Sequence, residues 1–250
     1  MQICRRTIQP QFNPLKYSNE LINIIKQNNG FIYENTEFQD YEKTDNGFKI
    51  KTNTKFNIVS KYLVLATRYP VINFPGYYFL KMYQEISYVI AIKPKTKFKL
   101  NGLYINDENP KISIKTAKYN GEDIILCAGY NNKTGENIDL TYKYDYLKAK
   151  AKQICGEFET LYEWNTEDCI SLDKIPYIGN FSKFTNNIFI ATGFDKWGIT
   201  TSNIAANIIC DKINKNINEY EEIFKATRLE AIKNNEELKN MIKQSFKSLV

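Results

Sequence analysis

The sequence predicts a mixed α/β fold, α+β overall, in which a parallel-sheet domain is interrupted by an inserted antiparallel sheet. Three observations carry this. Residues 187–213 (NIFIATGFDKWGITTSNIAANIICDKI) read as a buried strand, a glycine-containing turn and a helix. A second apolar run, residues 62–67 (YLVLAT), has the same character and also ends in small residues. Between the two lies a long region of alternating aromatic and β-branched runs, the pattern of antiparallel strands with one buried face.

In chain order, Asn13-Pro14 starts a helix, because Asn suits the cap and Pro the first helical position. Leu15, Leu21, Ile22 and Ile25 give its expected buried stripe, and Asn29-Gly30 supplies a left-handed stop. A strand is expected at 31–33. Alternating runs at 37–44 and 48–52 meet across Asn46-Gly47, a hairpin signal. Residues 62–67 form the next buried strand.

From about Pro70 the antiparallel character takes over, with strands at 86–92, 103–105, 112–118 and 124–128. The last two form a hairpin across Asn120-Gly121, with Ile112, Ile114 and Thr116 on one face. Residues 142–154 form a helix stopped by Gly156, and strands at 161–164 and 175–178 lead back to 187–213. There, 188–191 is the buried strand. Ile204, Ala205, Ile208, Ile209 and Ile213 recur at helical spacing, with Ser202 or Asn203 as the expected cap. A short helix at 220–224 follows, then an amphipathic one from about Lys233 with Leu238, Met241, Ile242 and Leu249 on one stripe. The expected divisions are residues 1–73, 74–179 and 180–250, the first and last completing one domain.

Composition narrows the chemistry. With 43% apolar and 25% charged residues the 250-residue chain matches an ordinary globular protein. Its longest purely apolar runs are far below the ~20 residues of a membrane span, and the first ten residues lack the apolar core of a secretory signal. Five scattered cysteines without a Cys-x-x-Cys pair argue against a disulfide framework or a metal site, so a cytoplasmic location is expected. The net charge of +6 comes from interspersed groups, which is poor support for a nucleic-acid partner.

Zero histidines is the most restrictive number. It excludes Ser-His-Asp and Cys-His mechanisms, His-ligated zinc and a Rieske cluster within these residues. Catalysis must come from carboxylates, Lys, Tyr, Cys or a cofactor with chemistry of its own.

Three segments resemble the FAD-dependent oxidoreductases of the D-amino-acid-oxidase and glycine-oxidase type. Residues 11–17 (QFNPLKY) are similar to that family's Gln-Phe-His-Pro-Leu-Lys-Tyr entry, with Asn13 in the His position. Residues 62–68 (YLVLATR) resemble its second Ala-Thr-Gly strand, with Arg68 in place of Gly. Residues 162–169 (YEWNTEDC), 173–179 (DKIPYIG) and 191–198 (ATGFDKWG) resemble its C-terminal flavin signature. The likeness implies FAD as cofactor, a partial FAD/NAD(P)-binding Rossmann-like domain in 1–73 and 180–250, and an inserted substrate domain in 74–179. It also implies oxidation of a C–N bond in a small-molecule amine or amino acid. The Gly-x-Gly-x-x-Gly fingerprint that cradles a dinucleotide pyrophosphate is absent, since no two of the 11 glycines are separated by a single residue. The expectation is therefore an incomplete flavin domain, either the C-terminal portion of an enzyme or a chain paired with an upstream FAD-binding chain. An inactive remnant or interaction subunit is the alternative.

Carried over residue by residue, the resemblance places Gly193, Phe194, Trp197, Gly198, Ile199 and Thr200 under the flavin ring, with Gly179 and Thr67 as further cofactor contacts. Lys196 is the weak catalytic candidate, placed to balance negative charge on the reduced ring or on a substrate carboxylate. Arg68, Tyr88 and Tyr177 are candidates for an anionic substrate group, and Cys169 is read as structural.

Overall fold

The computed structural model describes residues 3–6, 12–98, 102–136 and 139–229; the amphipathic helix expected from Lys233 lies outside them. The chain divides into two compact units, residues 1–34 with 86–167, and residues 35–85 with 168–250. Residues 13–34 thus group with the first unit, and 74–85 and 168–179 with the second. In order, the elements are β1 (Ile3–Arg6), α1 (Pro14–Gln27), β2 (Phe38–Thr44), β3 (Gly47–Thr52), β4 (Asn57–Ser60), β5 (Leu63–Leu65), a 3₁₀ turn (Tyr78–Leu80) and β6 (Met82–Pro94). Then come β7 (Leu103–Asn106), β8 (Ile112–Tyr119), β9 (Glu122–Lys133), α2 (Leu140–Cys155), β10 (Phe158–Ser171), β11 (Tyr177–Asn180), β12 (Ile188–Thr192), α3 (Gly198–Asn214) and α4 (Glu221–Phe224).

The first unit is built on a six-stranded sheet, order β1-β7-β8-β9-β6-β10. Its β8–β9 hairpin turns at Asn120-Gly121, both left-handed at φ 51° and 82°, as a tight turn between twisted strands requires. On α2, Leu147, Ala151 and Cys155 repeat every fourth residue, so they share one face and pack with Ile90, Ile92, Ile112, Ile114 and Cys127. Asp139 caps that helix by accepting from Thr141 and Tyr142 N–H, and Gly156 at φ 72° ends it.

Two expectations in this unit change. Asn13 Oδ1 does cap α1, accepting from Leu15 and Lys16 N–H, but no residue of the helix is buried: Leu15, Leu21, Ile24 and Ile25 are exposed. Residues 31–33 are not a strand. Their aromatic and β-branched composition favours one, but a strand forms only against a partner, and none among the described residues pairs with them.

The second unit holds two three-stranded sheets, β2-β3-β4 and β11-β12-β5. In the latter, β12 runs antiparallel to β11 and parallel to β5, with Ile188 opposite Leu63 and Ile190 opposite Leu65. All five residues of β12 are buried because both faces are covered. Ile188 and Ile190 pack with Leu63, Leu65, Tyr177 and Phe181. Phe189 and Ala191 pack on the other face with Ala205, Ile208 and Ile209 of α3. On β5, Leu63 and Leu65 are buried while Val64, turned to the α3 side, is 42% exposed. Among the described residues β5 is the edge of its sheet and no helix is long and apolar enough to cross a membrane.

Candidate functional site

Because β5 and β12 are parallel, their carboxyl ends release two loops side by side, residues 66–68 and 193–197. That is where ligands of open α/β sheets collect. The loops are tied together by Thr192, whose hydroxyl donates to the Arg68 carbonyl. Both bend sharply, with Arg68 at φ 60°, Gly193 at 69° and Asp195 at 51°. Glycine is needed at 193, where a Cβ would lie 3.4 Å from both Ser171 and Tyr177 in a strained backbone.

The second loop is also fastened to the end of β10. Asp195 N–H donates to Cys169 O at 3.0 Å, and Asp195 Oδ1 accepts from Ser171 N–H at 3.1 Å. Burial raises the Asp195 carboxyl pKa above its ordinary value, against the opposing pull of the Ser171 N–H and nearby lysines. Lys196 Nζ sits 3.0 Å from Glu85 and 3.2 Å from Asp168, so its charge is shared between two carboxylates.

The helix after the loop begins at Gly198, four residues before the expected cap. Ser202 and Asn203 instead donate their side chains back to Ile199 O. Trp197 occupies the cap without a side-chain acceptor, so the first-turn N–H groups of Gly198, Ile199 and Thr200 receive no side-chain cap. Gly198 differs from Gly193. Its φ is not in the left-handed region and a Cβ there would meet nothing within 4 Å among the described residues, so neither backbone nor packing among them calls for glycine.

A groove of about 630 Å³ runs from these loops along α3, within the size range of small-molecule sites. Val64, Ala66, Ala205, Ala206, Ile209 and Ile213 give it an apolar floor, and Arg68, Asp168, Gly193, Asp195 and Gly198 form its polar end. Of the expected contacts, Gly193, Phe194 and Gly198 line this groove. Trp197, 67% exposed, Ile199 and Thr200 belong to the same turn with outward side chains. Thr67 spends its hydroxyl on Tyr69 O at 2.9 Å, and Gly179, at φ 115° in β11, lies against the aliphatic stem of Lys212. Two candidates for an anionic substrate are internal. Tyr88 is buried and donates to Asn132 at 2.8 Å, and Tyr177 is buried beneath Arg228. Cys169 is buried. Sequence reasoning missed Asp195 and the small pair Ala205-Ala206; the only signal for the pair was two alanines on a helix face otherwise rich in isoleucine.

The residues fit FAD on three counts: an open glycine at a helix start, an adjoining apolar groove, and the Ser171 hydroxyl, fully buried beside Gly193 with no partner among the described residues.

Comparison with known proteins agrees with this geometry. The family model for FAD-dependent oxidoreductases (DAO) matches residues 8–212. A curated relative, the putative Rieske 2Fe-2S iron-sulfur protein YhfW of Bacillus subtilis (strain 168), is 36% identical over 220 residues, covering 88% of this chain and 43% of the relative. Among solved structures, L-proline dehydrogenase from P. horikoshii superposes with a TM-score of 0.70 at 18% identity, covering 87% of this chain and 60% of that one. Glycine oxidase from Geobacillus kaustophilus gives 0.59 at 17% identity, covering 80% and 54%. FAD-bound L-alpha-glycerophosphate oxidase from Mycoplasma pneumoniae gives 0.60 at 12%, covering 80% and 56%. The chain spans less than half of the curated relative and a little over half of these structures. The relative's iron–sulfur description has no ligand set to match it here, where histidine is absent.

Proposed function

Because this chain belongs to the family of FAD-dependent oxidoreductases, whose cofactor is FAD, we propose that it supplies the ring-side part of a flavin site that oxidises a C–N bond of an amine or amino acid. The observation that carries this reading is Gly198. A glycine at the start of a 17-residue helix costs stability relative to alanine, and no contact among the described residues requires it; a planar ligand lying close over the turn does.

When bound, FAD supplies the acceptor for the hydride that leaves the carbon of the C–N bond. The protein's part is to hold and orient. Gly193 and Gly198 allow close approach, Phe194 and Trp197 flank the ring, and the N–H groups of Gly198, Ile199 and Thr200 favour negative charge at the α3 start. Thr67 and Gly179 add backbone contacts further along. Lys196, bound to Glu85 and Asp168, acts as a positioning residue for the loop. The antiparallel sheet of the first unit provides the substrate lobe. The likeness to glycine oxidase and L-proline dehydrogenase favours an amino-acid substrate over other amines.

A second reading follows from the β5 edge. Val64 is exposed beside an apolar groove, and parallel strands are ordinarily buried in wider sheets. In that reading a strand–helix unit with Gly-x-Gly-x-x-Gly, from another segment or another chain, completes the sheet, and this chain is an interaction subunit without activity of its own.

Titrating the purified chain with FAD, with and without such a unit, and then adding amino acids anaerobically tests both. Saturable quenching of flavin fluorescence and bleaching of the visible band by an amino acid support the first reading. Binding without bleaching supports the second. No flavin binding under either condition refutes both.

A further inference from the structure

Resting on the flavin reading above, we propose that the Asp195 carboxylate reads the pyrimidine edge of the flavin ring, accepting a hydrogen bond from its imide N–H. The side chain has two oxygens, and the fold uses one. Oδ1 accepts from Ser171 N–H at 3.1 Å, while Oδ2 has no hydrogen-bond donor among the described residues. Asparagine would serve the fold alone. It tolerates the same left-handed backbone, φ 51° here, and its amide oxygen would take the Ser171 bond without burying charge. A half-buried aspartate is called for when a second donor meets Oδ2, and Asp195 lines the polar end of the groove, where that donor comes from a ligand. Gly198 lines the same end and opens the first turn of α3, whose N–H groups receive no side-chain cap. One short stretch of chain thus offers an acceptor together with donors. The pyrimidine edge of a flavin alternates carbonyl, N–H and carbonyl, the complement of that set. A substrate ammonium fits less well. The charges of Lys174 and Lys196 already offset the carboxylate, and Asp173, the other charge acting on it, is neutralised by Arg228. A full cation gains little there, whereas a neutral N–H gains a charge-assisted bond. A ribityl hydroxyl would pair as well with an amide.

Lumiflavin, the ring without the ribityl chain, and 3-methyllumiflavin, in which a methyl group replaces the imide hydrogen, isolate the contact. Their affinities and that of riboflavin are measured by fluorescence quenching on wild type, Asp195→Asn and Asp195→Gly, with and without the completing unit of the titration above. Asp195→Asn keeps an acceptor for Ser171 N–H but turns an NH2 group toward the imide, and Asp195→Gly keeps the left-handed backbone while removing both oxygens. Wild type should prefer lumiflavin over 3-methyllumiflavin by about tenfold or more, and both variants should lose that preference. Riboflavin affinity should fall in the variants by the same factor as lumiflavin affinity. Equal affinity of wild type for the two ring analogues, or a preference that survives in either variant, overturns the assignment and leaves the flavin reading standing. A loss confined to riboflavin overturns it too, being the outcome of a ribityl contact. A wild-type chain that binds none of the three under either condition overturns both.

Discussion

The Arg228 guanidinium sits over the Tyr177 ring, its Cζ 3.8 Å from the centroid, and from that position donates to both Asp173 carboxylate oxygens at 2.8 and 2.9 Å. It also donates to the carbonyls of Ile175 and Pro176. One side chain therefore clamps residues 224–228 onto β11, beside the bridge between Ile178 and Lys225. Its own side chain is only 9% exposed, so removing it strands a half-buried carboxylate. Arg228→Ala should cost about 3 kcal/mol in urea unfolding. Hydrogen exchange should speed up at Ala226 N–H, which donates to Ile178 O. Arg228→Lys should recover part of the stability, since it restores the charge without the stacking or the paired bonds.

Acid should undo the same clamp. Burial raises the Asp173 carboxyl, but the hydrogen bonds and charge of Arg228 outweigh it, and its pKa lies below the ordinary 3.8. A carboxyl lowered in the folded state stabilises fully above its unfolded pKa and loses that stabilisation as pH falls through the folded value. Unfolding free energy should therefore decline below about pH 4. In Asp173→Asn this part of the decline should vanish, at the expense of lower stability at neutral pH, as parallel urea titrations would show.

Lys81 predicts a second rise of stability with pH, in the alkaline range. Its ammonium is buried, 3% exposed by residue, donating to Ala226 O at 3.1 Å over the rings of Tyr78 and Tyr177. Burial, reinforced by the charge of Arg228, lowers its pKa from 10.5 to about 8. Between those values the unfolded chain holds a proton that the folded chain does not, so the Lys81 contribution makes stability rise with pH across that window. Below it both states are protonated and the burial penalty is constant. Lys81→Met should raise stability at pH 7 by roughly 1–2 kcal/mol and remove the rise. A loss at pH 7 would show that the Ala226 bond and ring contacts outweigh the burial of charge.

What the sequence revealed was whatever neighbouring residues decide. Asn13 and Pro14 mark the start of α1, and Asn120-Gly121 marks its hairpin, because cap and turn are settled within four residues. The uninterrupted apolar run at 188–191 announced a strand covered on both faces. The start of α3 was misplaced because a side-chain cap was sought, whereas Trp197 holds the cap position without one. Likewise β1 pairs with residues some hundred positions away, Ile3 opposite Asn106, and its four residues carry no local signal. Arg228 and Asp173 are 55 residues apart, and Lys196 meets Asp168 across 28. Such pairings depend on topology, which periodicity does not encode. At the site, the turn and its glycines were readable, but the left-handed Arg68 and its tie to Thr192 follow only from the parallel register of β5 and β12.

The two glycines of the turn should separate folding from binding. At Gly193 an alanine must adopt φ 69° and press on Ser171 and Tyr177, so Gly193→Ala should destabilise by about 1–2 kcal/mol whatever the ligand does. At Gly198 an alanine meets open space in a backbone conformation it prefers, so Gly198→Ala should stabilise the free protein by up to about 1 kcal/mol. That gain corresponds to a rise of roughly 2–4 °C in melting temperature. If the space over Gly198 belongs to the flavin ring, the same methyl group should weaken FAD and riboflavin binding alike, by tenfold or more. Melting curves with and without flavin then decide: a variant more stable when free yet less protected by flavin places the ring over that turn, whereas undiminished protection means that the glycine serves only the bend of the chain.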